Sequence, residues 1–476
     1  MTRINTNVRS LFAQQGLAQA QNALSTSLQR LSTGLKINSG ADDPAGLIAS
    51  QGLKSEMSGI TQAISNSQQA NNVIATADGA LGEVSTMLQT IIGLVDQAAN
   101  SGAMSADEIA ANQLQVDSAI QSITRISNTT EFDGQHLIDG SMDYLTSGVS
   151  TTAIQSLQIS QANLGTQPNL PVNVDVLTSA KQGSLEFTGS SIAKSVTLQI
   201  QGNEGTQVLS FVSGTNASAI AFAINTNSDS TGVMASLINP SAATSGIMFQ
   251  SSGYGSNSFV SVSAQSGTFN TQDLQGNAVS RATGVDAVAT VNGQKVVGNG
   301  LELKLSTSTL NLDMTLDKTF GAGKTSFAIT GGGAMFQLGP QVSSNQQVSI
   351  GIQSVAANKL GNGLVGYLSD IVTGGSASLV SGNAAKASQI VQAAVQQVAD
   401  LRGRLGAFEK DTLDTNINSL NVALTNVTSS NSSISDTDFA LETANLSRAQ
   451  ILVQAGTSVL STANSTPQTV LSLLPH

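Results

Sequence analysis

The sequence predicts a chain that is mainly α at both ends and β-rich in the middle, an α+β multidomain protein whose N- and C-terminal helices pack together as long antiparallel coiled coils. Three observations predict it. Prolines are confined: only Pro44 precedes Pro168, and none lies between Pro340 and Pro467. Both proline-free stretches carry apolar residues at steps of three and four, the helical period. Between them, Gly, Ser and Thr accumulate and short apolar runs alternate at period two, the strand period.

In the first helix Leu17, Leu24, Leu28, Leu31 and Leu35 step by seven, four, three and four, a heptad seam. The break at Ile37 to Gly46 places Asp42 and Asp43 as helix caps with Pro44 at the first helical position. A helix from Pro44 to about Asn100 follows, carrying Ile60, Ile64, Ile74, Leu81, Val84, Leu88, Ile91 and Val95. A third helix, about Ser105 to Asn128, carries Ile109, Leu114, Val116, Ile120, Ile123 and Ile126. Phe132-Asp133-Gly134 to Asp139-Gly140, with two Asp-Gly turns, reads as a tight hairpin. In the C-terminal stretch Val391, Val395, Val398, Leu401, Leu405 and Phe408 form one seam. After a phase slip it continues through Leu413, Ile417, Leu420, Leu424, Val427, Ile434 and Leu441, and the last helix is expected to stop near Ala463, before Pro467. Helices so thin cannot bury their stripes alone, so the matching ends are expected to pack on each other. In the middle, Val196 to Ile200 and Leu301 to Leu305 read as strands, and Ala217 to Asn225 as a helix.

Composition narrows the function classes. Charged residues are 10% of the chain, aromatics 3%, and Trp is absent, so the cores must be Ala, Leu, Ile and Val. A formal net charge of −11 without a basic run argues against nucleic-acid binding, which needs Lys and Arg on phosphates. The lack of cysteine excludes disulfides and thiolate metal sites. Met1 to Asn7 has no apolar core, so no cleavable signal peptide is expected. No run of about 18 apolar residues occurs, so no membrane insertion is expected.

Leu31-Ser32-Thr33-Gly34-Leu35-Lys36-Ile37-Asn38-Ser39, followed by Asp42-Asp43-Pro44-Ala45-Gly46-Leu47, resembles the N-terminal signature of bacterial flagellins. Arg448 to Thr457, Ala463-Asn464 and Val470 to Leu474 resemble their C-terminal signature, and Leu401 to Ala407 and the 132–140 hairpin fit the same pattern. Phe336 to Gly339 and Val348 to Ile352 extend the likeness inward, and Ala217 to Ser236 is similar to the flagellin IN repeat, placed at about 190–240.

The resemblance implies residues 1–43 with 432–476 as inner-core terminal helices, 44–141 with 334–431 as a helical rod domain including the 132–140 hairpin, and 142–333 as a variable β-rich outer insertion. It implies a structural protein, not an enzyme, that self-polymerises into an extracellular flagellar filament serving swimming motility. The implied partners are identical copies, the flagellar cap and hook–filament junction proteins, and an export chaperone with the type III export gate. Self-assembly contacts are expected at Leu24, Leu28, Leu31, Leu35, Leu452, Val459, Leu471, Leu473 and Leu474. Asp42, Asp43 and Pro44 are expected to connect inner and outer tubes. Phe132, Asp133, Gly134, Asp139 and Gly140 are expected to form a hairpin that tunes subunit spacing. The resemblance also points to weak detection by the animal innate receptor for flagellin, because Thr90 and Ser122 stand at its arginine and glutamate positions while Leu94 is kept.

Gly321-Ala322-Gly323-Lys324-Thr325 looks like the end of a phosphate loop, but Lys318 stands where the pattern needs Gly, and the following residues read as a strand. The two histidines, His136 and His476, suggest neither a metal site nor a catalytic base. No cofactor is expected. The rival readings are a hook–filament junction protein, or a filament-borne adhesin or enzyme with its activity in the insertion.

Overall fold

The computed structural model describes residues 6–165, 167–242 and 245–471, with side chains to residue 466. Helices α1 (Val8–Thr33), α2 (Pro44–Ala99) and α3 (Ala106–Thr129) come first. Strands β1 (Glu131–Phe132), β2 (Gln135–His136), β3 (Tyr144–Ser147), β4 (Ile154–Ala162) and β5 (Leu170–Thr178) follow. Next come β6 (Gln182–Phe187), β7 (Val196–Gln201), β8 (Thr206–Phe211), α4 (Ala217–Asn225), α5 (Ser228–Thr231), β9 (Val233–Leu237), β10 (Ile247–Tyr254), β11 (Phe259–Ser266) and β12 (Arg281–Thr283). The chain then forms β13 (Val288–Val291), β14 (Gln294–Val297), β15 (Glu302–Ser306), β16 (Leu310–Leu316), β17 (Gly323–Gly332), β18 (Ala334–Gln337), β19 (Gln347–Ile350), β20 (Gly361–Asn362) and β21 (Gly366–Tyr367). It closes with α6 (Ala384–Ala407), a π-helix (Phe408–Asp414), α7 (Thr415–Ser435) and α8 (Phe439–Leu471). Both helical ends and the β-rich insertion are therefore present.

The chain divides into two compact units. The first contains the chain up to Gln69, residues 337–342 and everything from Asp411 on. In it α1 lies antiparallel to α8, and the lower part of α2 packs on α7 through Ile60, Ala63, Ile64, Leu420, Ala423, Leu424 and Val427.

The second unit, 70–336 with 343–410, holds a helical bundle and two β lobes. The bundle buries Ile74, Leu81, Leu88 and Ile91 of α2, Val116 and Ile123 of α3, and Ile390, Val391 and Leu405 of α6 at 0% exposure. Ser105 caps α3 in a reciprocal box with Glu108. The first lobe joins a five-stranded sheet, β14-β13-β5-β17-β3, to a three-stranded one, β15-β16-β4, over a core of Val172, Val174, Leu303, Leu312, Met314 and Ile329. The second lobe is inserted between β5 and β13. It faces β6-β10-β9 against β12-β11-β7-β8 around Leu198, Ile220, Phe249 and Val262. The lysine of Gly321 to Thr325 sits in β17 and meets Asp175 at 3.3 Å; that segment leads into a strand, so no helix N-terminus stands there for a phosphate.

Two local expectations need correction, and a third, the phase slip, finds its structural cause. The hairpin is shorter than 132–140: β1 and β2 pair across Asp133 (φ 51°) and Gly134 (φ 76°), a turn needing two left-handed residues. Asp139 instead organises a separate bend by accepting from the Ser141 amide at 2.8 Å, and Leu137 and Ile138 between them are fully buried. The phase slip before Leu413 is the π-helix, where one extra residue per turn rotates the apolar stripe. Finally, α8 does not stop before Pro467 but runs on to Leu471. A proline leaves the carbonyl four residues earlier without its helical donor. That carbonyl, of Ala463, accepts from Asn7 Nδ2 at 2.8 Å instead.

Candidate self-assembly surface

The surface is built on the α1–α8 pair. Asn7 caps α1 by accepting from the Ser10 amide at 3.1 Å, and Gly34 ends it in the left-handed conformation (φ 74°), which only glycine adopts freely. Pairing runs antiparallel throughout. Ser10 Oγ donates to Asn464 Oδ1 at 2.8 Å, Leu17 packs over Gly456, Arg30 meets Glu442 at 3.7 Å, and Leu35 bridges Asp436. On α1 the residues turned inward are Ser10, Ala13, Leu17, Ala20, Leu24, Ser27 and Leu31, a strict three–four alternation. On α8 they include Glu442, Ala449, Val453, Gly456, Leu460 and Ala463. Small side chains recur every seventh residue on both helices, so each leucine of one settles over a gap in the other.

The expected contact residues therefore fall into two groups. Leu24 and Leu31 are half-buried in the chain's own seam, and Leu35 lies past the end of α1 in the connection. Leu28 (51% exposed), Leu452 (51%) and Val459 (57%) stand outside it. Leu471 ends α8, and its side chain, like Leu473 and Leu474, lies outside the described residues. Periodicity missed other exposed apolar side chains on the same helices, Val8, Leu11, Phe12, Phe439 and Ile451, and Leu441, read into the C-terminal seam, is exposed as well. Their signal is their position off the three–four stripe. On a helix that already has a partner, such residues are left facing outward.

In the connection, Asp43 caps α2 by accepting from the Gly46 amide at 2.9 Å, ahead of Pro44 as expected. Asp42 is not a helix cap. Its Oδ2 accepts from the Asn38 and Ser39 amides and the Ser39 hydroxyl, and the Ser39 amide first among these holds its carboxyl below the usual carboxylate range. The connection is anchored by backbone: the Lys36 amide donates to Ser435 O at 2.7 Å and the Thr437 amide to Gly34 O at 2.9 Å.

Half-buried charge is concentrated in the second unit. Arg404 of α6 donates to the Ser160 hydroxyl of β4. Burial pulls its pKa down while Asp313, Asp400 and Asp143 push it up. Burial holds the carboxyls of Asp143 and Asp313 above their ordinary values, opposed at Asp313 by Lys304 and Arg404. These charges sit where α6 meets the first lobe, which is the placement of a structural joint. Among the described residues no three His, Cys, Asp or Glu side chains converge as a metal site, and no helix is long and apolar enough to cross a membrane.

Comparison with known proteins agrees with this architecture. Residues 4–143 match the bacterial flagellin N-terminal helical region, residues 388–474 the C-terminal helical region, and residues 197–253 the flagellin hook IN motif. The B-type flagellin of Pseudomonas aeruginosa is 32% identical, over 99% of both chains. The flagellin of Salmonella rubislaw is 29% identical, also over 99% of both. A solved FliC structure from Burkholderia pseudomallei aligns over 73% of this chain and 99% of that one at 14% identity, with a TM-score of 0.26. Full-length likeness to curated flagellins, with both helical regions in place and the IN motif on the second β lobe, makes this chain a member of the flagellin family, the structural subunits of the bacterial flagellar filament.

Proposed function

We propose that the chain polymerises with identical copies into the filament that drives swimming, using the outer faces of α1 and α8. One observation carries the reading: Leu11, Phe12, Leu28, Ile451, Leu452 and Val459 stay more than half exposed although their helices already have partners. Burying one such side chain stabilises by ~1.5–3 kcal/mol, and a contact of this kind that does not close on itself repeats along an open helix. Leu471, Leu473 and Leu474 are assigned to the same surface. Asp42, Asp43 and Pro44 serve as the connection between inner and outer tubes, and the 131–136 hairpin as a spacer between neighbouring subunits. By family likeness, the subunit leaves the cell through the flagellar type III export gate with the help of a chaperone. It needs no cleaved signal for this, adds beneath the cap protein and follows the junction proteins of the hook.

Electron microscopy of the purified protein tests this directly. The intact chain is expected to form long filaments and the chain lacking residues 432–476 none. Filaments of equal length from the truncated chain would overturn the reading. Copy number separates the junction alternative: thousands per flagellum for a filament subunit, about a dozen for a junction ring.

A further inference from the structure

The α1–α8 seam poses a problem of specificity. Its small residues recur every seven positions on both helices, at Ala13, Ala20, Ser27 and Gly34 and at Ala449, Gly456 and Ala463. Between them stand only Leu and Val at Leu17, Leu24, Leu31, Val453 and Leu460. A slide of one heptad would again lay leucines over gaps, and pairing of α1 with α1 of another copy would do the same. Apolar packing alone therefore discriminates weakly.

Polar contacts near opposite ends of the seam break the repeat. At one end, Pro467 leaves a single carbonyl, Ala463 O, without the amide that would normally donate to it. Asn7 Nδ2 donates to that oxygen at 2.8 Å while Asn7 Oδ1 caps α1, and Ser10 bonds Asn464 beside it. At the other end, the Glu442 carboxylate has a side-chain exposure of 8%, and the cation facing it is Arg30 at 3.7 Å. Seven residues either side of Arg30 stand Ala23 and Ile37, so a slipped register leaves a buried carboxylate facing no cation, which is costly. A parallel pairing of α8 with α8 would bring two such carboxylates together.

We infer that Asn7, reading the carbonyl freed by Pro467, and the Arg30–Glu442 pair are the specificity-determining residues of the terminal coil, selecting one register of α1 on α8 within the same chain. The inference deepens the assembly reading and rests on it only where filaments are used as the sample.

The absence of cysteine from the natural sequence makes disulfide trapping clean. In the full-length chain, Gly456→Cys is combined with Leu17→Cys, the observed register, or with Leu24→Cys, one heptad away. Each pair is oxidised in the soluble protein and in filaments, and intrachain bonds are separated from interchain ones by gel mobility. The 17–456 bond is expected to dominate in the natural background. Asn7→Asp keeps an N-cap but loses the donor. It is expected to raise the 24–456 to 17–456 ratio about fivefold, the size of one hydrogen bond of about 1 kcal/mol. In a Pro467→Ala background, where Ala463 O regains its helical amide, the same change should have little effect. Arg30→Glu should also raise the ratio, and adding Glu442→Arg should restore it. The inference is overturned if Asn7→Asp acts equally in both Pro467 backgrounds, or if the charge swap fails to restore the 17–456 bond. Both arms are read in soluble chains too, so a failure of the natural sequence to form filaments would count against the assembly reading alone.

Discussion

At the scale of single residues, charge in this protein is used sparingly and in pairs. Asp43 and Asp438 spend their carboxylates on helix starts, Asp438 accepting from the Ala440 and Leu441 amides. Asp143 and Asp313 differ: burial raises both carboxyls, so the folded chain binds their protons more readily than the unfolded chain does. The sign follows from linkage. Stability from these groups is present at low pH and is lost as pH rises through their folded values. Asp313→Asn removes the charge that burial penalises. In urea unfolding of the full chain, followed by circular dichroism, it should raise the midpoint at pH 7, with the gain vanishing as pH falls through the ordinary carboxylate range. A loss at pH 7 would show that the Lys304 and Arg404 attraction outweighs burial.

At the scale of elements, the helices differ in what their outer faces offer. α2 has 56 residues, about 84 Å at 1.5 Å per residue, and its upper half turns a nearly continuous apolar stripe into the bundle. On that half Thr90 is exposed and its hydroxyl turns back onto Thr86 O at 3.1 Å. On α3 Ser122 stands half-buried, and Leu94 of α2 is itself buried at 8% exposure. An innate receptor that reads an arginine and a glutamate at these places would find two short hydroxyls and no ion-pair partner. Purified monomer in a receptor-dependent cell reporter assay should therefore activate weakly; strong activation at nanomolar concentrations would refute this. The π-helix between α6 and α7 is an element of another kind. It absorbs the five-residue step from Phe408 to Leu413, so that Leu413, fully buried, continues the stripe that Leu405 belongs to.

At the scale of the whole molecule, the nesting of the chain matters most. The second β lobe is inserted into the first, and the first between helical segments. Each lobe has its own core and its own antiparallel sheets. The terminal coil draws only on residues before Gln69 and after Asp411 within its own unit. Excising 142–333 and joining its ends with a short Gly-Ser linker should therefore leave filament formation intact by electron microscopy, although the filaments would be thinner. Complete loss of polymerisation would mean that the lobes supply an essential subunit contact.

The amino-acid sequence by itself determined the helical ends, the β-rich insertion, the α4 helix at Ala217–Asn225 and the family, because each rests on local period or on contiguous motifs. Helix starts at Asp43 and Ser105 were legible for the same reason, since caps bond within their own first turn. Only the tertiary structure decided which leucines of the terminal helices face the chain's own partner and which stand outward. A heptad read along one helix places Leu24 and Leu28 on one stripe, whereas the choice between them depends on where Ala449 and Gly456 of a helix some 400 residues away leave room. The passage of α8 through Pro467 was likewise unreadable locally. The carbonyl that the proline deprives of its helical donor is met by an asparagine at the far end of the chain.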